Sequence, residues 1–262
     1  MQDPQPITLE RHGPLRWTRP VRYDFAARQA LAPLVASELP QACMSLPIAF
    51  LQQADAWLVV AVLGVPPDTN LCVASDGRWT GRYIPALFRG HPFSLGVSAQ
   101  GAPTLCVDHA SGLVHEGPEG ERFFTEDGQI APLISQLIKF LSSVEKSRQA
   151  TVRACAALHQ LGLLMPWTVK VKTSAGEKTL GGLFRINEAA LNQLSAESLH
   201  ELMQAGGMAM AYCQLLSMQH FANMIEGARQ QQPKSTAAAQ PDLGLAQQLF
   251  DKGQSDTIKF NW

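Results

Sequence analysis

Residues 129–161 carry the strongest hydrophobic pattern in the chain. Ile130, Leu133, Ile134, Leu137, Leu141, Val144, Val152, Cys155 and Leu158 fall on one stripe at helical spacing, with Arg148 and Thr151 as its polar members. The spacing predicts one amphipathic helix roughly 48 Å long, at about 1.5 Å per residue, ending at Leu161-Gly162. Upstream the period changes. Short apolar runs at 47–51, 57–65, 71–73, 93–97 and 104–107 alternate with turn residues such as Pro66-Pro67-Asp68, Asp76-Gly77 and Gln100-Gly101. Such punctuation predicts a mostly antiparallel sheet or small barrel, with a helical turn between Ile84 and Gly90. Phe25 to Ala42 reads as one or two short helices interrupted by Pro33 and Pro40. Downstream of the long helix, 167–173 and 178–186 read as a hairpin, with a bulge or close backbone approach at Gly181-Gly182. Asn187 and Ser195 cap short helices, and Met208 to Met224 forms the last.

The expected fold class is therefore α+β: strands in the N-terminal half, a long amphipathic helix, then a hairpin and short helices. Residues 1–24, with Arg11, Arg16, Arg19 and Arg22 among Trp17 and Tyr23, read as an arm over the domain. Residues 25–227 form the body. Residues 228–241 are polar and Ala-rich and read as a flexible tether with a reach of roughly 18–20 Å. The segment 242–262 follows, and its last residues alternate strictly: Ile258, Phe260 and Trp262 share one face of a strand. That face is expected to dock on a partner protein, on a second copy, or back on its own sheet.

Composition narrows the class. The net charge is −1 with 16% charged residues, so a broad phosphate-binding surface is not expected and nucleic acid is excluded as a general partner. Five cysteines at unpatterned spacings read as buried reduced thiols. No signal-peptide pattern and no apolar run of membrane-spanning length occurs, which leads to the expectation of a cytoplasmic protein without direct membrane insertion.

Catalytic motifs are not apparent: there is no nucleophile elbow, phosphate loop, dinucleotide fingerprint or zincin helix. Asp108, His109, His115 and Glu116 are metal-ligand types in one glycine-containing stretch, and a two-His-one-carboxylate site can be drawn from them. Their spacing matches no recognised ligand pattern, so a polar loop is the simpler reading and no cofactor is expected. Asp76-Gly77-Arg78-Trp79-Thr80-Gly81-Arg82-Tyr83 is denser in recognition chemistry. Arg78, Trp79, Arg82 and Tyr83 are types that dominate interfaces; packing of arginine on an aromatic face is the structural alternative.

In these segments the chain resembles the SapC family of bacterial proteins, which is distinct from saposin C and from the transporter permease of similar name. The resemblance rests on His12 with Leu15-Arg16, Glu38 before Pro47 to Phe50, Asn70-Leu71, Asp76 to Trp79 with Gly81 and Tyr83-Ile84-Pro85, and Arg89 with Pro92-Phe93. It continues in Leu105 to Asp108, Glu145, Arg148, Thr151, Cys155, Leu161 to Leu164, Gly182 to Phe184, and Tyr212 with Leu215 to Ser217. Ala49 is smaller than the family's usual residue, and His109 stands where the family tends to be acidic. The resemblance implies an accessory protein linked to surface-layer, outer-membrane receptor or flavin-dependent halogenase systems, and supplies no catalytic residues. Two functions follow as expectations. One is a non-catalytic accessory or interaction protein using Arg78 to Tyr83 and the C-terminal strand. The other is a metal-dependent or oxygenase-like enzyme, or enzyme subunit, with its site near Asp108 to Glu116.

Overall fold

Alternating and apolar runs become strands in the computed structural model, which describes residues 4–54, 56–64, 69–97, 102–173, 176–222 and 224. The strands are β1 (Pro4–Pro6), β2 (Arg16–Trp17), β3 (Leu31–Pro33), β4 (Ile48–Gln53), β5 (Ala56–Val62), β6 (Phe93–Val97) and β7 (Pro103–Asp108). They continue as β8 (Val114–His115), β9 (Glu121–Arg122), β10 (Leu164–Pro166), β11 (Val169–Thr173), β12 (Gly176–Leu180) and β13 (Leu183–Ile186). The helices are α1 (Leu9–His12), α2 (Leu39–Ala42), α3 (Ala86–Gly90), α4 (Pro132–Gln160), α5 (Glu188–Leu191), α6 (Ala196–Gln204) and α7 (Gly207–Ser217). Every strand pairing among the described residues is antiparallel. The fold is α+β, and among the described residues no sheet closes into a barrel.

Backbone contacts divide the described chain into two compact units, residues 4–22 with 86–146, and residues 23–85 with 147–224. The first holds sheets β1-β7-β6 and β8-β2-β9. Its core gathers Trp17, Phe93, Val107 and Phe123 against Ile134 and Leu141 of α4. Of the residues expected as an arm, 4–22 belong to this unit and Tyr23-Asp24 to the second. β1 extends β7, β2 lies between β8 and β9, and Trp17 and His12 are buried.

The second unit is built on the five-stranded sheet β10-β13-β4-β5-β3. β4 and β5 carry buried Ile48, Ala49, Phe50 and Val59 to Val62 in its middle. Pro33 lies in β3 at the edge of the sheet, where a missing N–H is tolerated. That accounts for a strand where short helices alone were expected. The expected strand at 71–73 shrinks to one bridge, Val73 to Trp79. Asn70 is the reason: its Oδ1 accepts the Cys72 N–H at 2.9 Å, a local turn that competes with a ladder. The expected 167–186 hairpin also divides. β11 and β12 pair with each other, but Gly182, at φ 78°, turns the chain so that β13 joins β4 and β10 instead. Only glycine adopts that backbone freely.

The C-terminal part of α4 lies in the second unit and presents polar groups as well as apolar ones. Its Thr151 hydroxyl accepts the Ala36 N–H at 2.7 Å, and its Ser147 hydroxyl accepts the Ser37 N–H at 2.9 Å. These satisfy donors at the start of the short turn Ala36–Glu38. Val152, placed on the apolar stripe by spacing, is exposed, and Ala154 takes the buried slot. Asn187 and Ser195 cap α5 and α6 as expected, accepting from Ala190 N and Ser198 N.

Helix α7 completes the sheet. The Gln214 side chain is fully buried; its Oε1 accepts the Ile186 N–H at 3.0 Å and its Nε2 donates to the Ile48 carbonyl at 3.2 Å. The Ser217 hydroxyl accepts the Ile48 N–H at 2.9 Å. Replacing Gln214 by Leu strands one buried N–H and one buried C=O, each costing about 1–3 kcal/mol. Urea unfolding of Gln214→Leu should therefore show a loss of about 3 kcal/mol; a loss below about 1 kcal/mol would contradict this reading.

Candidate functional site

Strand β7 ends at Asp108, whose carboxylate Oδ1 accepts the Ala110 N–H at 3.0 Å and so caps the single turn His109–Ser111. The Ser111 hydroxyl donates to the Asp108 carbonyl at 2.6 Å. This clasp directs His109 toward α1. There the Thr8 hydroxyl caps the helix and His12 is completely buried. The two Nε2 atoms of His12 and His109 are 3.0 Å apart. The His12 ring packs at 5.2 Å from those of His109 and Phe123.

Two imidazole nitrogens at that distance share one proton, so one ring donates and the other accepts. The far side of His12 permits either direction. Its Nδ1 lies 3.2 Å from the Thr8 N–H and 3.3 Å from the Thr8 carbonyl. If Nδ1 accepts from Thr8, Nε2–H donates to His109; if Nδ1–H donates, Nε2 accepts. The Thr8 backbone thus accommodates either tautomer of His12, and a proton can shift between the two imidazole rings. Burial lowers the His12 pKa, and the charges of His109 and Arg11 lower it further against the Thr8 hydrogen bond. His91 is lowered too, by burial, against the attraction of the Asp108 carboxylate.

The four residues proposed from sequence as metal ligands do not converge. Asp108 and His109 sit together, with His12 as the partner that spacing could not identify, 97 positions away. His115 lies on β8, its Nδ1 3.2 Å from the Glu116 carbonyl, and Glu116 is exposed. Among the described residues no group of three or more His, Cys, Asp or Glu side chains is placed to hold a metal ion.

The Arg/aromatic stretch folds around Trp79. The Trp79 indole N–H donates to the Tyr83 carbonyl at 3.1 Å, and its ring packs 5.5 Å from that of Tyr23. Tyr83 is buried, and its hydroxyl donates to Glu38 Oε1 at 2.8 Å, while Glu38 Oε2 accepts the Val35 N–H at 3.0 Å. Tyr83 is thus an anchor within the unit. Arg78 and Arg82 are the exposed members, with Trp79 half-buried. Arg78 Nε donates to Asp76 Oδ2 at 2.6 Å, which holds the Asp76 carboxyl below the usual range. Ile258, Phe260 and Trp262, and the tether before them, lie outside the described residues.

All five cysteines are free. Burial pushes Cys155 up to about 12 and Cys72 up to about 11. Cys213 rises to about 11 through burial and its neighbour Cys43. These thiols stay protonated at neutral pH and are poor nucleophiles. Among the described residues no helix is long and apolar enough to cross a membrane.

Compared with known protein families, the chain matches SapC over residues 7–224. No curated protein and no solved structure matches.

The histidines make stability depend on pH. His12 and His91 have folded-state pKa values below the ordinary 6.5. Well above pH 6.5 both are neutral in either state and contribute no slope. Below it the unfolded chain protonates first, so stability falls with decreasing pH until the folded-state pKa values are passed. The slope is at most about 1.4 kcal/mol per pH unit per histidine, and less for His91, which is partly exposed. Denaturant titrations between pH 7.5 and about 5 should show this decline, flattened in His12→Gln; an identical profile for the variant would contradict it.

Proposed function

We propose that this chain, which belongs to the SapC family, is a non-catalytic accessory protein that works by binding another protein. The observation carrying this reading is the display of Arg78 on a braced turn. Its side chain is 75% exposed, while the neighbouring backbone is tied down through Trp79, Tyr83 and Glu38. A cation held on a pre-organised turn loses little entropy on binding, and Arg beside Trp is the composition of interface hot spots. Arg82 extends the same surface. The tethered strand with Ile258, Phe260 and Trp262 supplies a second contact to a partner or a second copy, a reading drawn from sequence alternation alone. A place in a cell-surface or outer-membrane receptor system, and a cytoplasmic location, are carried by the family resemblance and the sequence.

A second reading, an enzyme or enzyme subunit with its site near Asp108 to Glu116, is favoured by the imidazole pair. A shared proton at 3.0 Å is geometry suited to general acid–base work. Metal near one equivalent in protein purified without a metal-affinity tag, and lost in His109→Ala, would move the conclusion to a metal-dependent form of this reading.

The interaction reading is tested by affinity purification with the full chain, the double variant Arg78→Ala/Arg82→Ala, and a chain ending at Gln240. Hot-spot arginines cost about 2 kcal/mol each on truncation, so the double variant should lose most of its specifically captured partner at unchanged thermal stability. Equal capture by all three proteins would overturn the proposal.

A further inference from the structure

The sheet β8-β2-β9 places basic side chains in a row. Arg16 of the central strand stands directly opposite His115 on one side and Arg122 on the other. Residues directly opposite in antiparallel strands project to the same face, with the strands about 4.8 Å apart. Trp17, the next residue, belongs to the core, so Arg16, His115 and Arg122 occupy the opposite, outward face. Two guanidiniums directly opposite each other repel. Their present partners are weak compensation. Arg16 Nη1 donates to the adjacent Leu15 carbonyl at 3.0 Å, and Arg122 Nη1 meets Glu126 Oε1 at 3.1 Å in a surface pair.

The two arginines also form the shared wall of two shallow grooves, of about 510 Å3 and about 520 Å3. Phe124 lines both. It is half-buried, packed against the core of the unit, and presents its remaining surface to the grooves. The second groove is closed by Gly120 and by Ala131 to Leu133 at the start of the 29-residue helix α4. Gly120 lets the β8–β9 loop approach β2: a Cβ there would lie 2.7 Å from the Trp17 carbonyl oxygen at φ +84°. The start of α4 adds the partial positive charge of a helix N-terminus to the arginine row. Carboxylates also line the grooves. Glu126 and Asp127 border the first and Glu121 the second; Glu126 pairs with Arg122.

We infer that this face binds a phosphate monoester carried on an apolar or aromatic body. Two adjacent guanidinium forks match the charge and the several acceptor oxygens of a phosphate dianion, and Phe124 offers a flat apolar surface beside them. Binding displaces Glu126 from Arg122 and relieves the repulsion between Arg16 and Arg122. The site lies in the first unit, and its test does not involve Arg78 or Arg82.

The test uses the full chain, with phenyl phosphate, inorganic phosphate and phenol as probes, followed by NMR chemical shifts and calorimetry at low salt. Phenyl phosphate should bind more tightly than inorganic phosphate, with phenol weakest, and should shift the amides around 120–126 and 133. Arg16→Gln and Arg122→Gln should each weaken phenyl phosphate by about tenfold or more, since each removes charge-assisted hydrogen bonds. Glu126→Gln, which removes the competing carboxylate, should tighten binding. Arg122 is exposed, so its variant remains folded and keeps the comparison valid; circular dichroism verifies this. Failure of the wild-type chain to bind either phosphate, or an unchanged affinity in Arg122→Gln, would overturn the inference.

Discussion

A side-chain amide stands in for a missing rung of backbone in the second unit, and the sheet depends on it. Strands β13 and β4 pair at Leu183 with Leu51 and at Phe184 with Phe50. Continuing that register would bring Ile186 opposite Ile48, but Gln214 bridges these two residues instead. A carboxamide has the donor and acceptor of a peptide group, so it can extend a ladder where two strands part. The site has no access to water, and an unmade hydrogen bond there would cost its full desolvation. Ser217, one turn along α7, satisfies the remaining Ile48 N–H and donates its own proton to the Gln214 carbonyl. Helix and sheet are therefore joined by specific polar geometry as well as by apolar area. The polar cluster ties the helix to one position, which apolar packing alone specifies less sharply.

Side chains that complete backbone groups, here from nearby in the chain, also shape the candidate surfaces. Glu38 satisfies Val35 N–H with one oxygen and receives the Tyr83 hydroxyl with the other. That fixes the end of the stretch from which Arg78 and Arg82 project. In the first unit Asp108 caps its own turn and so directs His109 onto His12. The stretch carrying Arg78 and Arg82 and the His12–His109 pair are each held in place by short polar clasps.

Elements with a sustained period were legible in the sequence. The long helix, strands β4 to β7 and the caps at Asn187 and Ser195 all announce themselves by spacing or local chemistry. The two-residue strands β2, β8 and β9 are below the length at which alternation can be recognised. Their side chains form the basic row only through pairing, so a net charge of −1 gave no sign of it. Gln214 reads in sequence as a polar interruption of a Met- and Leu-rich helix, and its role depends on strands far away in the chain. His12 entered only through the family resemblance, because its partner is in contact by folding and not by spacing. Tyr83 carried the composition of an interface residue, yet its hydroxyl is used inside the unit.

Native-state hydrogen exchange at single-residue resolution tests the central constraint most directly. If α7 completes the sheet, the amides of Ile48 and Ile186, whose acceptors are side chains, exchange as slowly as those in the middle of β4 and β5 and open only with the whole unit. Exchange of these two amides at rates typical of surface turns, while the centre of the sheet stays protected, would show that Gln214 and Ser217 do not hold the strands and would contradict the account.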